Sequence, residues 1–320
     1  MKIKFLLGIQ RENLQLTSLN SSTPVKQRFK LDTGHSPYLA ISGDDHLLIE
    51  DDNHLVLYDG QRRVNEIPWE QGDKQTFTGA IKDIVYSNYL QQFCVLSALN
   101  FFTFDAESLI LEKSEQLRPS TGSTDRSICF DFICFSSLLG NHFQSVACVP
   151  NKSEVYFALT TSGSRTIIER WSLLSGSLIR RWYHDVFESD DRLISSIRAN
   201  EKCLAVCIKQ QRNEKHSNAS PEGQGHWRVD LFDMNFVRMY RGVHLKIGGL
   251  GTFVTPFDDR SWLIINGNDI WLLGEQAECV EEKKFYSEEK LLNVIVKDED
   301  IQGNRQFILK LGQPAELRVL

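Results

Sequence analysis

The chain has 320 residues, 41% of them hydrophobic and 24% charged, with a net charge of −6 and nineteen Phe, eight Tyr and six Trp. That aromatic load excludes an intrinsically disordered chain. The mild acidity, with basic residues scattered rather than clustered, argues against a partner nucleic acid, and the length fits two average domains or one large all-β domain.

The N-terminal MKIKFLLGIQREN carries an apolar run, Phe5–Ile9, too short for a secretory core and without a small-residue cleavage motif after it. No later run nears the roughly eighteen apolar residues of a membrane-spanning helix. The expectation is a cytoplasmic protein with no membrane contact. The seven cysteines agree, being odd in number, with Cys94, Cys148, Cys203 and Cys207 set within strand-like runs as small hydrophobes.

A first hairpin is expected at 14–31, LQLTSLNSSTPVKQRFKL, turning near Asn20. Three strands follow, Tyr38–Ile41, His46–Glu50 and Leu55–Tyr58, the last opening a hairpin over 55–69 that turns at Gly60. The pattern recurs as Ile81–Tyr86, Phe93–Ser97 and Phe101–Phe104, with a hairpin over 101–115. Residues 118–127, RPSTGSTDRS, are polar and lead to ICFDFICFSSLLG, which reads as an insertion or an extra strand.

Beyond them, IERWSLLSGSLIRRWYH (168–184) alternates, turns at Ser-Gly and alternates again. Residues 209–226 hold no apolar side chain larger than Ala or Pro and read as a long polar loop. Hairpins close the pattern at 228–242, 270–285 and 307–320, the second preceded by Phe253–Pro256 and Trp262–Asn266 and opened by Ile270–Leu273. Alternation at period two means strands with one buried face, and gaps of two to five Gly, Asp, Asn and Ser residues mean antiparallel hairpins.

Seven such hairpins recur at roughly 40 residues, stretching to about 60–70 in mid-chain, which is the spacing of four-stranded propeller blades. The second strand of each unit (FCVLS, VYFALTT, CLAVCI, WLIIN) is apolar on both faces, as a strand between neighbouring blades must be. The reading is an all-β, single-domain propeller over 1–320 with seven, or six, four-stranded blades. Its ring is closed by pairing N-terminal strands (Lys2–Ile9, Leu14–Leu19, Val25–Leu31) with C-terminal ones (Phe307–Leu311, Glu316–Leu320).

The 168–184 hairpin, with a Trp before a Gly turn, and the Gly34-His35 pair ahead of Tyr38–Ile41 resemble the third and fourth strands and the entry motif of WD40-like β-propellers. The chain departs from that pattern where Ser172 follows Trp171, and no unit carries the full His, Asp, Ser and Trp set that ties such blades together.

Catalytic motifs are sparse. KIGGLGTF (246–253) lacks the Lys-Ser/Thr of a phosphate loop, and DEDIQGN (298–304) puts Leu309 where a calcium loop needs Glu. Cys203 and Cys207 lie about 13 Å apart along a strand, too far to chelate one metal. No G-x-S-x-G occurs. No cofactor is expected. The expected function is a non-catalytic scaffold, monomeric by itself, that binds a protein or peptide. The candidate contacts are Trp69, Arg180, Arg181, Trp182, His184, Trp227 and Arg228, because Trp and Arg dominate binding hot spots. The alternative is a metal-assisted hydrolase or lactonase using axial carboxylates, drawn from Asp44, Asp45, Asp258 and Asp259 with Asn200.

Overall fold

The computed structural model describes residues 16, 19, 24–60, 62–69, 79–114, 142–161, 166–183, 186–210, 226–242, 244–246, 252–285, 289–297 and 305–320. Within them, 25 strands form six sheets.

β1 (Gln27–Lys30) belongs to the last sheet. Blade 1 is β2 (Leu39–Ile41), β3 (His46–Asp51), β4 (His54–Asp59) and β5 (Arg62–Pro68). Blade 2 is β6 (Ile81–Ser87), β7 (Gln92–Ser97), β8 (Phe101–Asp105) and β9 (Ile110–Lys113), and blade 3 is β10 (His142–Cys148), β11 (Glu154–Thr160), β12 (Thr166–Ser172) and β13 (Ser177–Trp182). Blade 4 is β14 (Asp191–Ala199), β15 (Leu204–Gln210), β16 (His226–Phe232) and β17 (Arg238–Tyr240), with β18 (His244–Lys246) also paired to β16. Blade 5 is β19 (Phe253–Pro256), β20 (Trp262–Asn266), β21 (Asp269–Leu273) and β22 (Cys279–Lys284). Blade 6 is β23 (Lys290–Lys297), β24 (Gln306–Gln313) and β25 (Ala315–Val319), with β1 completing it as the outer strand.

All strand pairings are antiparallel, and the first strands of successive blades touch around a ring that returns from β23 to β2. The fold is a six-bladed β-propeller. Seven hairpins yield six blades because the first and last share one sheet. The second arm of the 14–31 hairpin is β1, and it pairs with β25 from Gln27↔Val319 to Lys30↔Glu316. The N-terminal strand thereby occupies an edge that the C-terminal hairpin would otherwise expose. Leu16, expected in a strand, sits instead in a 3₁₀ turn whose carbonyl accepts the Leu19 N–H at 2.8 Å. Both leucines are fully buried against Leu272 of blade 5 and Leu309 of blade 6. Lys2–Ile9, the insertion at 118–127 and residues 211–225 lie outside the described residues. The last of these join β15 to β16, where the long polar loop is expected.

Burial follows the strand order. The second strands are buried nearly throughout, as in β20, whose five residues are all inaccessible. Six apolar clusters fill the interfaces, one for each neighbouring pair of blades. The hairpin at 168–184 is β12 and β13, the outer half of blade 3. Trp171 is buried between blades 2 and 3, and half-buried Leu173 packs on the same cluster. Leu173→Asp places an unpaired charge there and lowers stability by about 1–3 kcal/mol, measured by urea unfolding.

Gly34, in the Gly-His pair, has a backbone role. A Cβ on it would lie 2.1 Å from the Gly312 carbonyl oxygen, so the β1–β2 connection passes against β24 only without a side chain. No helix among the described residues is long and apolar enough to cross a membrane.

Candidate functional site

Three buried charged side chains tie strands and connections together. In blade 1, Asp51 on β3 accepts the backbone N–H groups of Asp32 (2.6 Å) and Thr33 (2.8 Å), fixing the chain as it leaves β1. In blade 3, Glu169 on β12 is almost fully buried, accepting from Trp171 Nε1 at 2.8 Å and from Arg181 Nε at 2.9 Å. In blade 4, Arg228 on β16 is 0% exposed. Its Nε donates to Asp230 at 2.9 Å, its Nη2 to Asp191 at 2.7 Å and its Nη1 reaches Glu188 at 3.5 Å. Arg238 and Arg241 add contacts to Glu188 at 2.8 and 2.9 Å.

The candidate contacts divide accordingly. Trp69 is buried between blades 1 and 2, its indole donating to the Gly79 carbonyl at 2.8 Å. Trp182 is buried between blades 3 and 4 against Tyr156 and Phe236. Trp227 is buried between blades 4 and 5. Arg181 and Arg228 sit in the ionic ties. Arg180 is exposed, with its guanidinium 5.1 Å from the Trp182 ring. His184 lies outside the described residues. The structure therefore gathers Arg180, Arg181 and Trp182 on β13 and leaves Trp69 and Trp227 in other blades.

The carboxylates considered for an axial metal serve turns. Asp258 Oδ1 accepts the N–H groups of Arg260 and Ser261. Asn200 Oδ1 accepts those of Lys202 and Cys203. Asp45 pairs with Lys297 at 2.6 Å and Asp259 with Lys202 at 3.0 Å. Burial pushes Cys203 up to about 11 and Cys207 to about 12, so both are neutral thiols.

On the innermost strands, besides Asp191 of β14, Asp83 of β6 is buried, held by both Nη atoms of Arg198 on β14 at 2.7 Å, with Ser145 of β10 donating to it. This bidentate pair neutralises the charge a cation would need. Among the described residues, Glu188, Asp190 and Asp191 alone form a three-carboxylate cluster, and the blade 4 arginines fill it. Neither Asp83 nor Glu188 stands out in the sequence, because their partners come from other blades or from across a loop.

Lys310 of β24 is fully buried and points at blade 1, donating to the carbonyls of Tyr38 and Glu50. Burial pulls its amine down to about 8, opposed by the nearby Glu50 and Asp51 carboxylates. The folded amine releases its proton before the unfolded one does. Its penalty is therefore complete below pH 8 and fades as pH rises toward the ordinary value of 10.5. Wild type should gain about 1.5 kcal/mol between pH 8 and 9.5 relative to Lys310→Met, read from paired denaturant titrations.

The surface is uneven. Ten of the twelve exposed large apolar side chains among the described residues lie in blades 2, 3 and 4. The most open are Leu174 (77%), Val237 (61%) and Tyr183 (55%), with Ile110, Ile179 and Met239 also exposed. Apart from Tyr89 in the β6–β7 turn, they occupy outer strands and the turns into and out of them. The outer strands β5 and β22 carry Arg62, Arg63, Glu66 and Glu281–Lys284 instead, the charged edges that discourage strand pairing.

No protein-family model matches the sequence, and no curated protein is similar to it. Solved structures do match in fold. A chain in the crystal structure of the mitotic checkpoint complex superposes with TM-score 0.52 at 9% identity, covering 93% of this chain and 91% of that one. The RRP9 WD40 repeats superpose with TM-score 0.52 at 10% identity, covering 93% and 84%. The propeller is WD40-like in architecture.

Proposed function

We propose that this propeller is a non-catalytic interaction scaffold. It docks a protein or peptide along the rim of blades 2 to 4, centred on β13. The observation that carries the reading is the concentration of exposed apolar side chains on three consecutive blades. Scattered single apolar residues need no explanation, but a one-sided concentration marks an interaction surface. Arg180 lies among them, stacked on Trp182 and held toward solvent, and Arg241 is half exposed beside blade 4. The partner that fits presents apolar side chains flanked by carboxylates. A WD40-like fold suits the role, and one fold neighbour comes from the mitotic checkpoint complex.

The test is affinity capture with the wild-type chain, Leu174→Asp/Ile179→Asp, and a blade 5 control, Val280→Asp. A partner held by wild type and control is lost from the double variant, while all three melt alike. A partner retained by the double variant overturns the assignment of this surface.

A further inference from the structure

Two sulfurs meet where no local pairing brings them together. Cys94 lies in the middle of β7 and is fully buried, whereas Cys148 ends β10 and is half-buried. Their Sγ atoms are 3.6 Å apart, across the interface of blades 2 and 3. Both are free thiols. The surrounding wall is apolar, with Leu96, Phe143, Phe157 and Trp171 in the same cluster. A disulfide needs a sulfur separation of about 2.05 Å, so the gap closes with roughly 1.6 Å of movement. Of the other described cysteines, Cys203 and Cys207 share a strand run without sulfur contact, and Cys279 is exposed and isolated on β22.

We propose that Cys94 and Cys148 form a redox modification site, oxidised by a peroxide to a disulfide that staples blade 2 to blade 3. Cys148 is the entry point because Cys94 is closed to solvent. The Cys148 thiolate attacks one peroxide oxygen, the O–O bond breaks, and the departing oxygen leaves as water after taking a proton. Cys148 is then a sulfenic acid. The Cys94 sulfur attacks the Cys148 sulfur, the S–O bond breaks, and the Cys94 proton leaves with the hydroxide as a second water. Two thiols lose two electrons and one peroxide gains them. The hydrogen bond to Cys148, together with burial, holds the Cys94 thiol well above its ordinary range, which suits a resolving thiol that keeps its proton until the sulfenic acid forms beside it.

The site is tested on the folded full-length chain with stoichiometric hydrogen peroxide. Intact mass and peptide mapping follow, using trypsin plus chymotrypsin so that cleavage after Phe143 separates Cys148 from Cys129 and Cys134. The expected result is a loss of about 2 Da and a Cys94–Cys148 linked peptide, reversed by dithiothreitol. Cys148→Ser abolishes the linked peptide, and Cys94→Ser leaves a Cys148 sulfenic acid that dimedone traps. Mapping of the wild-type chain decides the matter even if a variant folds poorly. Cys148 carried to sulfinic acid with Cys94 still free, or both thiols intact while Cys279 is oxidised, overturns the proposal.

Discussion

Arg228→Met lowers the melting temperature by roughly 5–10 °C, the largest loss expected from a single side chain here. Methionine fills much of the volume, so cavity formation is a minor part of the effect. The cost comes from charge. Asp230 and Asp191 are nearly inaccessible and lose the guanidinium that compensates them. Breaking one partner out of a buried ionic cluster costs about 3–5 kcal/mol, because the remaining charges are left without compensation. Arg238 stays 3.1 Å from Asp230 and limits the damage. Adding Asp230→Asn to the variant should recover part of the loss in a calorimetric scan. An Arg228→Met melting curve that overlays the wild type would show that blade 4 is tied by other means.

The second large effect concerns ring closure. A chain beginning at Asp32 lacks β1 and four buried side chains, Leu16, Leu19, Phe29 and Leu31. Their burial is worth about 6–12 kcal/mol as an upper bound, at roughly 1.5–3 kcal/mol each. The truncation also bares the edge of β25, whose backbone pairs with β1 over four residue pairs. A freshly exposed strand edge recruits other chains. The expected product is therefore aggregated, with any soluble fraction eluting as oligomers and melting well below wild type. A monomeric truncated chain with an unshifted melting curve would mean that the three C-terminal strands make a sufficient blade.

The strands were legible because their signal is local. Phe253–Pro256 and Trp262–Asn266 appear in the structure with the bounds their alternation implies, and Ile81–Tyr86 differs from β6 by one residue. Period two depends on which face of a pleat meets the core, and a handful of neighbouring residues records that. The same holds for the Ser-Gly turn of the 168–184 hairpin, which joins β12 to β13.

The candidate site was legible only in part. Trp69, Trp182 and Trp227 look alike in sequence beside strand ends, and so do Arg180 and Arg228. All three Trp are buried between blades, and Arg228 is closed in by Glu188, Asp191 and Asp230 of its own blade, while Arg180 on the outer strand β13 stays exposed.

The amino-acid sequence by itself determined an all-β chain of repeated antiparallel ribbons, with second strands apolar on both faces. Tertiary structure alone decided that seven ribbons make six blades, that Asp83 meets Arg198, that Cys94 meets Cys148, and that the uncovered apolar rim falls on blades 2 to 4. The reason is physical: strand periodicity reports one residue's relation to its own sheet. Contacts between sheets are set by ring closure, which brings together residues that no local pattern relates.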